Sequence, residues 1–147
     1  MEESIIKIRK LCKRFGTQDV LRELDLDIPK GMITVIIGKS GGGKSVLLKH
    51  IIGLIKPDSG EIFIDGINIV KEPEDKLNEI RKRFGMLFQE GALFDSMTIE
   101  ENVAFPLVEH TKLSQAEIKE RTKEVLALVG LTGAEKKYPS EISGGMR

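Results

Sequence analysis

Residues 38–45 read Gly38-Lys39-Ser40-Gly41-Gly42-Gly43-Lys44-Ser45, the pattern G-x-x-x-x-G-K-[ST]. Their types and spacing suit one chemistry, the holding of a polyphosphate. Glycines let successive backbone N–H groups turn inward and form a concave anion site. Lys44 adds a mobile positive charge for the outer phosphate oxygens. Ser45 offers a hydroxyl to Mg2+, a cation that prefers hard oxygen ligands. A helix running on from Val46 would point its positive end at the same phosphates.

Such a loop must follow a strand and open a helix, and the flanking residues have that character. Met32-Ile33-Thr34-Val35-Ile36-Ile37 is short and rich in β-branched residues, which predicts a strand buried on both faces. Val46 to Ile55 is mostly apolar and predicts a buried helix, stopped by Lys56-Pro57-Asp58-Ser59-Gly60. A merely flexible Gly-rich loop would need neither flank.

Other elements follow from periodicity. Ile6, Ile8 and, less cleanly, Leu11 share one strand face, and Leu24, Leu26 and Ile28 share another, so both segments read as half-buried antiparallel strands. Asp65-Gly66 between β-rich flanks predicts a hairpin. Residues 74–83 predict a short charged helix, and Phe84-Gly85-Met86-Leu87-Phe88 a buried strand leading to Gln89. From about residue 98 the chain turns helical. Ser114 and Glu117 form a capping box, Ile118, Val125, Leu126 and Val129 lie on one helix face, and Gly130 stands where a C-terminal cap belongs.

The bulk properties fit one ordinary globular domain. The chain has 147 residues, 40% hydrophobic and 31% charged, with 23 basic and 23 acidic side chains. A balanced charge gives no basic excess for nucleic acid. No apolar stretch approaches the ~20 residues that span a bilayer. A single cysteine, Cys12, cannot form an internal disulfide and reads as a structural residue in a reducing compartment. His50 and His110 lack metal-like spacing and read as non-catalytic.

Ile142-Ser143-Gly144-Gly145-Met146 resembles the L-S-G-G-Q signature of the ATP-binding-cassette (ABC) ATPases, and its order relative to other motifs strengthens the match. Phe15 is similar in position to that family's adenine-stacking aromatic, and Gln89 to its Q-loop glutamine. Lys56 to Ile62 with Asp65-Gly66 looks like the segment after its phosphate-loop helix, and Thr98 to Val103 like the stretch that opens its helical subdomain. Residues 88–98 and 104–111, with Met146 in place of the usual glutamine, resemble the branch that serves the Mla system, which moves phospholipid between the membranes of Gram-negative bacteria. That branch also carries toluene-tolerance and organic-solvent-resistance labels.

The resemblance implies an α/β P-loop NTPase fold with an antiparallel β subdomain and a helical subdomain. It divides the chain at about 1–89, holding the P-loop and Q-loop, and 90–147, ending in the signature. Gly38 through Val46 would bind ATP, with Lys44 bridging the β- and γ-phosphates, Ser45 and Gln89 completing the Mg2+ shell, and Gln89 approaching the attacking water. Ser143, Gly144 and Gly145 would contact nucleotide held by a second copy in a homodimer. A membrane permease would dock near the Q-loop and helical lobe, placing the protein peripherally on the cytoplasmic face of the bacterial inner membrane. In this family the Walker B strand, with its Asp and catalytic Glu, and the switch histidine follow the signature, and no Asp-Glu pair behind an apolar run occurs in these residues. The expectation is therefore a truncated cassette that holds ATP without cutting it, with residues 33–37 short of sheet neighbours. Two other readings stand beside the transport ATPase: a soluble ABC ATPase of the translation or DNA-repair kind, and a nucleotide-binding piece without catalysis.

Overall fold

The computed structural model describes residues 3–88 and 91–147. The chain divides into two compact units, Met1–Phe84 and Gly85–Arg147.

In the first unit, β1 (Ser4–Phe15) and β2 (Gln18–Pro29) form a long antiparallel hairpin. Strands β3 (Ser59–Ile64) and β4 (Ile67–Asn68) extend it into a four-stranded sheet of order β2-β1-β3-β4. The turn between β3 and β4 is Asp65-Gly66, both with positive φ (47° and 81°), as the sequence predicts for a tight hairpin. The alternation of β1 is imperfect for a reason visible in its register. A shift between Ile8 and Leu11, with Lys10 at φ 47°, lets Ile6, Ile8 and Leu11 all face the core. Gly60 lies across this bulge, where an added Cβ would sit 2.5 Å from the Lys10 carbonyl oxygen. Leu24, Leu26 and Ile28 of β2 pack against the same core, as their spacing implies.

Two helices, α1 (Lys44–Ile51) and α2 (Glu74–Arg81), supply the rest of that core through Leu47, Ile51, Leu77 and Ile80. Arg81 ties them together, donating from Nη2 to the Gly53 carbonyl at 2.6 Å and from Nε to the Ile52 carbonyl at 3.2 Å. These carbonyls belong to the turn that ends α1, just past its last helical residue.

The two buried strands expected at 33–37 and 84–88 are absent. Residues 33–39 and 84–88 adopt no regular structure. Ile33 is 93% and Ile37 91% exposed, while Ile36 alone of that run packs against the core. A strand exists through the ladder its neighbours provide, and among the described residues no strand lies beside either segment.

The second unit is helical, with α3 (Ile99–His110), α4 (Gln115–Leu128) and short 3-10 turns at Pro139–Glu141 and Gly144–Met146. Thr98 with Glu101 and Ser114 with Glu117 form capping boxes. Gly130 closes α4 in a Schellman motif: its N–H donates to Ala127 and that of Leu131 to Leu126. The buried face of α4 holds Ile118 and Leu126 of the expected set, with Thr122 beside them and Val125 half-buried, and leaves out only Val129. Val129 is the C-cap residue at φ −100°, outside the helical repeat, and is 65% exposed. Ile99, Leu126 and Ile142 form this unit's core. The first free amides of α3, on Ile99 and Glu100, donate to the carbonyls of Lys137 and Glu135.

Candidate functional site

The glycine-rich loop is built as its sequence requires. Gly41 and Gly43 sit in the left-handed region, at φ +75° and +82°. Gly42 donates to the Lys39 carbonyl at 3.1 Å, and a Cβ on Gly42 would lie 2.9 Å from that same oxygen. The turn therefore closes only without side chains at these positions. Gly43 is the N-cap of α1 and makes no side-chain cap bond, and the first turn holds no acidic residue. The leading amides of α1 consequently have no side-chain cap among the described residues, at the positive end of the helix.

Lys44 folds back over the loop. Its Nζ donates to the carbonyl oxygens of Gly38 and Lys39, both at 2.7 Å. Those partners are neutral, and among the described residues the ammonium makes no ion pair. Ser45 follows on the exposed first turn, and Val46 turns inward toward the core. Lysine, open amides and an exposed hydroxyl at one helix start fit a magnesium polyphosphate.

Phe15 ends β1 opposite Gln18, across a two-residue turn, and is 49% exposed. The β1–β2 hairpin also meets the loop. An added Cβ on Gly43 would touch Val20 Cγ1 at 3.0 Å, the Val20 carbonyl at 3.1 Å and Leu21 Cδ2 at 3.2 Å. Since Leu21 pairs with Lys13, two residues from Phe15, strand spacings put Phe15 on the order of 10 Å from Gly43. The hairpin that carries Phe15 at its end thus meets the loop at Gly43.

The remaining predicted residues belong to the second unit or fall outside the described residues. Ser143, Gly144 and Gly145 are exposed in the second unit, where the Met146 amide donates to the Ser143 carbonyl at 2.9 Å and closes a single 3-10 turn. Gln89 lies outside the described residues. His50 is fully buried on α1 with Nδ1 2.8 Å from the Val46 carbonyl, and burial pushes its imidazole below the ordinary histidine range. His110 is exposed at the end of α3. Among the described residues no group of three or more His, Cys, Asp or Glu could hold a metal ion. No helix among them is long and apolar enough to cross a membrane.

One cluster escaped the sequence reading. The Lys13 ammonium lies 5.5 Å from the centroid of the Phe15 ring. It also donates to the Lys56 carbonyl and to Asp58 Oδ1, each at 2.9 Å. The available signal was a cation two residues before an aromatic on one strand, which alone is too common to single out.

The ABC transporter family model matches residues 21–147. The chain belongs to the ABC transporter family. Curated relatives include the probable ribonucleotide transport ATP-binding protein Mkl of Mycobacterium leprae, 52% identical over 97% of this chain and 41% of that protein. Another is the intermembrane phospholipid transport system ATP-binding protein MlaF of Haemophilus influenzae, 44% identical over 99% of this chain and 55% of that protein. The chain thus spans about half the length of these curated relatives. The fold matches a solved ATP-binding cassette, MJ0796, described as a dimer in a post-hydrolysis state with ADP and Pi. That match has a TM-score of 0.87 and 32% identity, covering 96% of this chain and 64% of the other. The cassette assignment accounts for the antiparallel sheet beside the phosphate loop and for the separate helical unit.

Proposed function

We propose that these residues form the nucleotide-holding part of an ABC transporter ATP-binding subunit whose intact form couples ATP binding and hydrolysis to transport, with phospholipid between bacterial membranes as the cargo. The observation that carries the reading is the clasp of Lys44 over the Gly38 and Lys39 carbonyls, at the open N-terminus of α1. Amides across 40–45 take the β-phosphate, and the Lys44 ammonium swings from its carbonyl partners to bridge the β- and γ-oxygens. Ser45 supplies a hydroxyl oxygen for Mg2+, and Gln89 a second ligand and a contact to the attacking water. Bound Mg2+ neutralises charge on the phosphate oxygens. Phe15 stacks on the adenine, its half-exposed ring standing at the end of the hairpin that meets the loop at Gly43.

The intact protein works as a homodimer, in which Ser143, Gly144 and Gly145 of one copy meet nucleotide held by the other. The dimeric cassette among its structural relatives supports this. A membrane permease is the second partner, and the protein lies peripherally on the cytoplasmic face of the inner membrane. Phospholipid as cargo is supported by MlaF. Ribonucleotide is a second cargo reading, favoured by the 52% identity to Mkl, a probable ribonucleotide transport ATP-binding protein.

The test is isolation of the intact protein from membranes with its partners, followed by reconstitution into lipid vesicles. ATP-dependent movement of labelled phospholipid is the expected result. A protein that purifies with no membrane partner, or that moves nucleotide and not lipid, refutes the phospholipid reading.

A further inference from the structure

The Lys13 cluster does more than decorate the hairpin. Two of the three ammonium protons of Lys13 are committed, to the Lys56 carbonyl and to Asp58 Oδ1, both at 2.9 Å. Its side chain is only 16% exposed. The charge is therefore fixed in position, and it is fixed over the Phe15 ring. Asp58 binds the strand a second time, accepting the Arg14 amide on Oδ2 at 2.7 Å, while its own amide donates to the Cys12 carbonyl at 3.0 Å. Bonding to Lys13 and to the Arg14 amide holds the Asp58 carboxyl below the usual carboxylate range. Beyond the turn, Arg14 pairs with Asp19 at 2.5 Å and closes the hairpin end that carries the ring.

Residues 56–58 follow the turn at 52–55 that ends α1, the helix that opens at the phosphate loop. The bonds from 56 and 58 to Lys13 and Arg14 consequently tie the aromatic end of β1 to the phosphate helix.

We infer that Lys13 is a positioning residue for base recognition: anchored by Lys56 and Asp58, its ammonium holds one face of the Phe15 ring and sets that ring at a fixed place relative to the phosphate loop. A free phenylalanine at a hairpin end would sample several rotamers, and stacking on a base would have to freeze them. A ring already held from behind loses less on binding. The inference rests on the reading of Phe15 as the base platform. It makes Lys13 matter to ligands that have a base and not to ligands that have only phosphates.

The experiment is calorimetric titration of the intact protein with Mg-ATP and, separately, with Mg-tripolyphosphate, which has no base. Phe15→Ala should weaken ATP roughly 5- to 100-fold, the range of aromatic–base stacking, and leave tripolyphosphate unchanged. Lys13→Met should weaken ATP about 3- to 10-fold with tripolyphosphate unchanged, and Lys13→Arg should restore most of the loss. In the Lys13→Met, Phe15→Ala double variant ATP should bind no more weakly than in Phe15→Ala alone. Tripolyphosphate affinity reports whether each variant still folds around its loop, and if Lys13→Met does not fold, the ratio of the two affinities in Asp58→Asn, which loosens the same anchor, replaces it. An unchanged ratio in the Lys13 or Asp58 variants, with a lowered ratio in Phe15→Ala, overturns the inference alone. An unchanged ratio in Phe15→Ala removes the platform reading, and the inference with it.

Discussion

Two glycines of the phosphate loop offer a controlled comparison of backbone strain with crowding. Gly41 and Gly43 both have left-handed φ, +75° and +82°. Alanine at either pays the left-handed penalty of about 1–2 kcal/mol. At Gly41 that is the whole cost, because nothing lies within 4 Å of the added Cβ. At Gly43 the methyl meets Val20 Cγ1, the Val20 carbonyl and Leu21 Cδ2 at 3.0 to 3.2 Å. The two side-chain ends can turn aside, but the carbonyl belongs to a strand and cannot. Overpacking of this kind adds about 1–3 kcal/mol. Gly43→Ala should therefore cost about 2–5 kcal/mol and Gly41→Ala about 1–2 kcal/mol. Urea unfolding is the assay, with both variants expected to lower the midpoint at an unchanged slope. Equal losses, or a larger loss for Gly41→Ala, would refute the packing of the loop on β2.

Three more substitutions test other parts of the structure. The Thr122 hydroxyl is buried without a hydrogen-bond partner among the described residues, so Thr122→Val should raise stability by about 1 kcal/mol, read as a higher melting temperature of the helical unit. Asn102 donates from Nδ2 to the carbonyls of Phe94, Met97 and Thr98 and accepts the Phe94 amide on Oδ1, so Asn102→Asp should cost about 3 kcal/mol and remove hydrogen-exchange protection over 94–98. Burial lowers the His50 pKa from its ordinary 6.5, with the Lys13 charge adding to the effect and the Val46 and Lys56 carbonyls and Asp58 opposing it. The folded value then lies below the unfolded one, so the unfolded chain takes up the proton first: stability is complete above pH 6.5 and declines as the pH falls beneath it, a slope that His50→Gln should remove in melting curves taken between neutral and mildly acidic pH.

What the sequence made legible was local. The loop at 38–45 announces itself because its glycines are required by backbone geometry within a few residues. Ser114, Glu117 and Gly130 mark the ends of α4 for the same reason: caps are short-range devices. The strands at 33–37 and 84–88 show the converse. Their β-branched and apolar residues read as buried strand, yet a strand depends on a neighbour that may be far along the chain, and none of the described residues supplies it. The bulge at Lys10 and the Lys13 anchor were illegible because each depends on residues 56–61 coming back across β1. Val129 was misassigned by extending a helical repeat one residue past the point where the backbone leaves it. Phe15 and the Ser143-Gly144-Gly145 turn carried their meaning through family resemblance, since an exposed aromatic or a lone Ser-Gly-Gly has no distinctive physics of its own.

The central claim is that residues 38–45 hold the phosphates of Mg-ATP through Lys44 and the loop amides. Calorimetric titration with Mg-ATP, comparing the unaltered chain with Lys44→Ala, tests it most directly, with circular dichroism showing that both are folded. The account predicts saturable binding by the unaltered chain and a loss of about 10- to 100-fold in the variant, the worth of one charge-assisted hydrogen bond. Equal affinity in the two proteins, or a folded chain that takes up no Mg-ATP, would contradict it.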